Sequence, residues 1–599
     1  MKKILKRSEA PVEQTWDLSA LYKDMEAFDD AMERFEKDAA EFAEKYRGNL
    51  KTAEDVNEAL DALRPIYEAA DHLINFVSLD YEVDLTNKEK GAREADTMNR
   101  YAQVAEDLAF FDIEVVSLPA EILKEAQNAS DENAHYLHEL LKKKEHLLSR
   151  EAEAAMAALS PVLQSPVDLY NQIKQGDIRF PEFTVGGRSY SMTYPQFENR
   201  YETETDTELR RKAAEVFYRE LDHHKVGTAA VYNMQVQREK IESRLRGYES
   251  VFDYLLDSQD VTREMYDRQI DIIMEKLAPV MQRYAKLLKK EHGIAELTSY
   301  DLKIELDPTY AAEVSFEDAG KYILDGLAVL GEEYSEMLKS ALTERWIDYA
   351  ENQGKSTGAF CASPYRVQSY ILTSFNGKMD EVATLAHELG HAGHFLYAGK
   401  HQNIYNVEPS LYFIESPSTT NELIMENYLL KKAGEDRRRR RWVLSQMISK
   451  TYYHNFVTHL LEAAYQREVY RIVDAGGSLD DEKLTGIYRK ILQQFWGDAV
   501  RIEEGSALTW MRQPHYYGGL YSYTYSAGLT IGTVVSQRIL KEGKPAVDAW
   551  LKVLSAGGTK TPTELAAMVG VDISTSKPLE DTIAYIGSIV EEMEALSEN

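Results

Sequence analysis

The chain has 599 residues, enough to bury a large core without disulfide or metal staples. Lys plus Arg total 69 and Asp plus Glu total 100, a net charge of −31 that phosphate backbones and anionic membrane surfaces repel. Nucleic-acid and membrane partners are therefore not expected, and the single cysteine, Cys361, excludes an internal disulfide, a cysteine-rich zinc site and an iron–sulfur cluster. The basic start Met1–Arg7 lacks the apolar stretch of a signal peptide, and no run approaches the ~18 apolar residues of a transmembrane helix, so the expected compartment is the cytoplasm.

Helical spacing dominates the chain. Apolar residues recur three and four apart over 20–48 (Leu21, Met25, Phe28, Met32, Phe35) and over 54–78 (Val56, Leu60, Leu63, Ile66). Further helical runs cover 89–116 and begin again at Pro119. Phe183–Ser191 predicts a hairpin turning on Gly186-Gly187. Thr205 and Glu208 have the spacing of a capping box ahead of a long helix, which Gly247 is suited to end. A boundary near 200 separates an N-terminal helical lobe, 1–200, from a second unit, 201–599. Helical patterns follow over 262–292 and 315–340. The stretch 351–376 then breaks the pattern, and β-favouring Tyr370–Thr373 predicts one or two short strands. Helices resume at 380–398, 417–433, 436–474, 480–495 and 526–541. The basic run Arg437–Arg441 reads as a solvated helix face that balances local acidity. Gly354-Lys355-Ser356 resembles the end of a phosphate loop, but Tyr349 stands where that loop needs glycine, so nucleotide binding is set aside.

The chemistry concentrates in His387-Glu388-Leu389-Gly390-His391. On a helix, residues four apart share a face about 6 Å apart, so both imidazoles can reach one metal ion. Glu388 lies to one side of that line, where a general base is useful. The apolar flanks Val382, Leu385, Ala386 and Leu389 argue for a buried helix rather than two surface histidines. Gly390 and Gly393 each cost the helix about 1 kcal/mol relative to alanine, which predicts a close approach to the backbone. Zinc requires a third protein ligand and leaves one position for water. His394 continues the histidine face, but it lies about 10 Å along the axis from His387, and three ligands in line give poor tetrahedral geometry. Glu415 is preferred: it precedes Ser416-Pro417, a cap and first-turn proline, and enters from another direction. Glu422, seven residues on, either orients a ligating histidine or is a solvated helix charge.

A third cluster, His515-Tyr516-Tyr517-Gly518-Gly519-Leu520-Tyr521-Ser522-Tyr523-Thr524-Tyr525, holds five tyrosines in ten residues. Such hydroxyls and an imidazole are donors suited to an oxyanion opposite a metal. Without the metal motif, an aromatic packing patch is the better reading.

These residues together resemble the thimet-oligopeptidase-like zinc peptidases, and most of all their oligoendopeptidase F branch. His387–His391, Phe413-Ile414-Glu415-Ser416-Pro417-Ser418 and the His515/Tyr523 stretch carry the resemblance. Thr15-Trp16-Asp17-Leu18 and Gly358-Ala359-Phe360-Cys361 extend it over essentially the whole chain. The resemblance implies a mainly α fold, a helical body with a deep substrate channel and a small β-sheet beside the metal helix. It implies one Zn2+ on His387, His391 and Glu415, with Glu388 as base and Tyr523 and His515 assisting the oxyanion and substrate. It further implies hydrolysis of internal bonds in short unstructured peptides. The peptide is expected to add along the strand at 358–362, beside Cys361, which makes that thiol a candidate for reagent sensitivity. Two other classes compete: a metallo-carboxypeptidase and a non-catalytic helical peptide-binding protein.

Overall fold

The computed structural model describes residues 5–310 and 312–597, so Met1–Ile4 of the basic start lie outside the described residues. Helices account for 72% of the chain beside two small sheets, which is the mainly α architecture expected.

In the N-terminal lobe, α1 (Met25–Tyr46), α2 (Ala53–Glu82) and α3 (Lys88–Leu108) follow one another. Asp24 caps α1, and Thr52 caps α2 in a reciprocal box with Asp55, so side chains satisfy amides that the first turns leave unpaired. The predicted stripes are the buried ones. Phe28, Met32 and Phe35 of α1 pack with Val56, Leu60, Leu63 and Ile66 of α2 in a cluster that extends to Leu140.

Strands β1 (Phe183–Val185) and β2 (Arg188–Tyr190) form the predicted hairpin, with Phe183 opposite Tyr190. Gly186 and Gly187 sit at φ +55° and +77°, the left-handed pair that a two-residue turn of this hand requires. Helix α4 (Thr207–Leu245) is capped by Asp206, not Thr205. The Asp206 carboxylate accepts from the amides of Glu208 and Leu209, and a charged acceptor outcompetes a hydroxyl one residue earlier. Gly247, at φ +79°, follows the end of α4 as expected.

The larger apolar cluster runs from Tyr170 to Met593. The division between the two cores therefore falls between Leu140 and Tyr170, earlier than residue 200. The reason is packing: Phe197 stacks on Phe217 of α4 at 3.9 Å, and Phe183 of the hairpin meets Tyr201 at 5.5 Å. A third cluster of Trp16, Leu79, Val83, Tyr370 and Leu372 joins the N-terminal helices to the second sheet.

That sheet contains β3 (Ile347–Asp348), β4 (Phe360–Ala362) and β5 (Tyr370–Leu372). Their order is β3-β5-β4, with β5 parallel to β3 and antiparallel to β4. Lys355 is buried beneath it and donates to Asp348 and to the carbonyls of Ala350 and Thr373, so it is a structural cation and not a phosphate ligand.

Four more helices build the site: α5 (Asp380–His401), α6 (Ser416–Ala433), α7 (His459–Asp474) and α8 (Tyr523–Glu542). Helix α6 packs against both α5 and α8. The single helix expected over 436–474 is three segments: Arg437–Gln446, a π-helical stretch Met447–Thr458, and α7. A wide turn leaves no mark in a 3.6-residue apolar pattern. Arg438, Arg440 and Arg441 pair with Asp307, Glu592 and Glu291, so the basic run does balance local acidity. No helix among the described residues is long and apolar enough to cross a membrane.

Candidate active site

Helix α5 presents His387 and His391 on one face, with ring centroids 5.1 Å apart. Glu415 is the residue just before α6. Its Oε2 lies 3.3 Å from Nε2 of His387 and 3.4 Å from Nε2 of His391. Three donors around one zinc ion at 2.0–2.2 Å, at tetrahedral angles, are separated by about 3.3–3.5 Å. The two Glu415 distances match that spacing, all three donor atoms lie within 4.8 Å of one another, and a set of two imidazoles and one carboxylate suits zinc.

Glycine sets how closely the helices carrying these ligands approach. A Cβ on Gly390 would lie 2.6 Å from the carbonyl oxygen of Pro417 and from Cα of Ser418, and one on Gly528 of α8 would lie 2.7 Å from Cβ of Glu415. Both are closer than any real Cβ contact, so α5 and α8 press on the start of α6 from two sides. Helix α6 begins at Ser416, with Glu415 itself in the cap position and Pro417 in the first turn. Ser418 Oγ donates to Oε2 of Glu415 at 2.8 Å and aims the carboxylate. Gly393 makes room for the Tyr334 ring, whose hydroxyl accepts from Asn421 of α6.

Glu388 is 6% exposed, next in the chain to His387 and one turn from His391. Burial raises its carboxyl above the usual range against the pull of His387 and His391. Burial also opposes ionisation of Glu415, yet the two imidazoles outweigh it and hold that carboxyl well below the usual range. Nδ1 of His387 lies 3.1 Å from Oε2 of Glu422, the orienting role that sequence spacing left open. Thr451, from the π-helical segment, donates to Glu422 and to Glu426. His394 does not join the cluster. It is fully buried near Phe413, neither ring nitrogen has a hydrogen-bond partner, and burial pushes it down to about 3.

The tyrosine-rich segment divides by environment. Tyr516 packs on Tyr232 and Tyr465, and Tyr517 stacks on Tyr170 at 4.4 Å, so this pair is core. Tyr523 is fully buried edge-on to Tyr266, and its hydroxyl donates to Oε1 of Gln259 at 2.5 Å. Tyr525 is raised by burial first, then by Tyr521 and by the Glu415 and Glu462 carboxylates. Its ring lies 5.7 Å from His515 and 5.4 Å from Tyr521. Tyr521 and Tyr525 are four residues apart, a spacing that the sequence displays and that places both on one side of the α8 start.

Strand β4 lies beside α5 at the edge of its sheet. The Cys361 thiol is partly buried and is pushed up to about 12 by burial and by Glu388, which disfavours its thiolate form.

A model of peptidase family M3 matches residues 200–585, and one for oligopeptidase F matches residues 114–180. Oligopeptidase PepF of Bacillus subtilis (strain 168) is 30% identical over 595 residues, spanning 98% of this chain and 88% of that protein. An oligoendopeptidase F homolog of Borreliella burgdorferi is 26% identical over 600 residues, spanning 99% of this chain and 100% of its own. The solved oligoendopeptidase-F from Enterococcus faecium shares the fold, with TM-score 0.74 at 21% identity over 95% of this chain and 99% of that one. With the family model covering most of its length, the chain belongs to peptidase family M3, on the oligopeptidase F branch, and is a metalloendopeptidase.

Proposed function

We propose that the chain is a zinc-dependent endopeptidase that hydrolyses internal bonds of short unstructured peptides, with one Zn2+ per chain. The observation that carries this is the 3.3–3.4 Å convergence of His387, His391 and Glu415 with buried Glu388 alongside. When bound there, zinc supplies Lewis acidity to the scissile carbonyl and to the attacking water.

Glu388 takes a proton from that water and returns it to the leaving amine. Its raised carboxyl suits both halves of the transfer. Glu422 and Ser418 fix the ligand orientations, so little reorganisation is needed during turnover. Of the donors expected at the oxyanion, His515 keeps its role, and Tyr525 takes the one that sequence resemblance gave Tyr523. The peptide adds to the free edge of β4, whose Cys361 lies near Glu388. Main-chain pairing of that kind tolerates many side chains.

The test is incubation with a peptide blocked at both ends, with and without a chelator, followed by product analysis. Internal cleavage that the chelator abolishes is expected, whereas a carboxypeptidase leaves the blocked peptide whole. Glu388→Gln should lower kcat by about 10²–10⁴-fold at unchanged zinc content, and near-native turnover would remove Glu388 as the base.

A further inference from the structure

A second buried polar cluster is built on Glu462. Glu462, on α7, is fully buried, and its Oε2 accepts from Ser522 Oγ at 3.1 Å and lies 2.8 Å from Nδ1 of His459. Nδ1 of His515 lies 3.6 Å from the same oxygen. The far nitrogen of His459 faces Nε2 of His454 at 3.1 Å, and the Tyr525 ring stacks on His459 at 4.0 Å.

His459, Glu462 and His515 are close enough together to hold a metal. Distance decides against it. The His387, His391 and Glu415 donors stand at the 3.3–3.4 Å expected around an ion, whereas His459 and Glu462 stand at 2.8 Å, the length of a charge-assisted hydrogen bond. This cluster holds protons.

We propose that Glu462 is a positioning residue for His515. It turns the ring so that Nδ1 faces Glu462 and Nε2 faces the peptide. This rests on the reading of His515 as a donor to the substrate. Nδ1 of His515 and Oε1 of Glu462 are both buried without a hydrogen-bond partner; the 3.6 Å approach is to Oε2, which Ser522 and His459 share, so a turn of the carboxylate would let the two unpartnered atoms pair. Hydrogen bonds of catalytic groups are often long before substrate binds. A carboxylate beside an imidazole also stabilises the doubly protonated ring, the form that donates from Nε2. Burial alone would raise Glu462, but His459 and His515 overcome it and hold the carboxyl down to about 2, so the charge persists. The other ionisable groups facing the cluster are His454, Tyr488, Tyr516, Tyr521 and Tyr525, with Lys303 beyond His454.

The test compares zinc-loaded wild type, Glu462→Gln, His515→Ala and the double variant on a blocked peptide from acid to alkaline pH. Glu462→Gln should lower kcat about 10–100-fold with little change in KM and move the alkaline limb of kcat to lower pH. The double variant should lose no more than His515→Ala alone. Glu462→Asp, which keeps the charge, should return the alkaline limb toward wild type. Additive losses, or an unmoved limb in Glu462→Gln, overturn the proposal. So does a second zinc equivalent that Glu462→Gln removes. Nitrogen-15 NMR of the His515 ring gives a readout independent of turnover: hydrogen on Nδ1 in wild type and its loss in Glu462→Gln are expected, and identical spectra overturn the pairing. A wild type that leaves the peptide intact would defeat the peptidase reading, while the NMR comparison still decides the Glu462–His515 pairing.

Discussion

At the scale of single residues, the site is defined by which polar atoms have partners and which face the ligand triad. Glu415 meets both imidazoles, whereas His394 is sealed in apolar surroundings only one turn further along the same helix. Glu415→Ala should therefore abolish stoichiometric zinc binding, measured by metal content after dialysis, and His394→Ala should retain it. Metal lost only from the His394 variant would reverse the assignment. The two tyrosines separate by a different measurement. Tyr525→Phe should lower kcat about 10²–10³-fold with little change in thermal stability, the loss typical of one oxyanion donor. Tyr523→Phe should do the opposite, because it strands the buried Gln259 oxygen at a cost of about 1–3 kcal/mol and leaves kcat nearly native. Equal kcat for the two variants would place neither hydroxyl at the oxyanion.

At the scale of elements, the close packing of α5 and α8 on α6 positions the ligands. Alanine at Gly390 would gain about 1 kcal/mol of helix propensity, but its methyl would meet backbone atoms of Pro417 and Ser418 at 2.6 Å. Backbone cannot rotate away as a side chain can, and such overpacking costs about 1–3 kcal/mol. Gly390→Ala should therefore lower the melting temperature and weaken zinc affinity together, read by calorimetry and metal titration. A stabilised variant with full zinc affinity would show that the helices can separate without moving Glu415.

At the scale of the whole molecule, a buried carboxylate adds to the Trp16 cluster and the backbone hydrogen bonds that tie the N-terminal segment to the second sheet. Asp348 of β3 receives Arg7, Lys355 and the amide of Trp16, and neither its side chain nor that of Lys355 is more than 2% exposed. Replacing it by asparagine leaves Lys355 buried without its counter-charge, a loss of about 3–5 kcal/mol. Asp348→Asn should shift the urea midpoint of unfolding strongly downward, and an unchanged midpoint would show that the clamp does not stabilise the fold. This sheet also supports β4, so the same variant should raise KM for peptides more than it lowers kcat.

By itself the sequence determined the local facts. Apolar spacing gave the amphipathic helices, Gly186-Gly187 gave the hairpin, and the four-residue interval gave the facing imidazoles of His387 and His391. Each of these rests on contacts within about a turn of chain, which residue order encodes directly. The close approach predicted at Gly390 was legible too, though not what approaches it. Only tertiary structure buried Tyr523 against Gln259 and set Tyr525 beside His515, placed Glu422 behind His387, and brought Glu462 against His459 and toward His515. Those outcomes depend on how α5, α6, α7 and α8 cross and on a π-helical turn at Met447–Thr458. Adjacent tyrosines offer the same hydroxyl, and no spacing within one segment tells which of them another helix will bury.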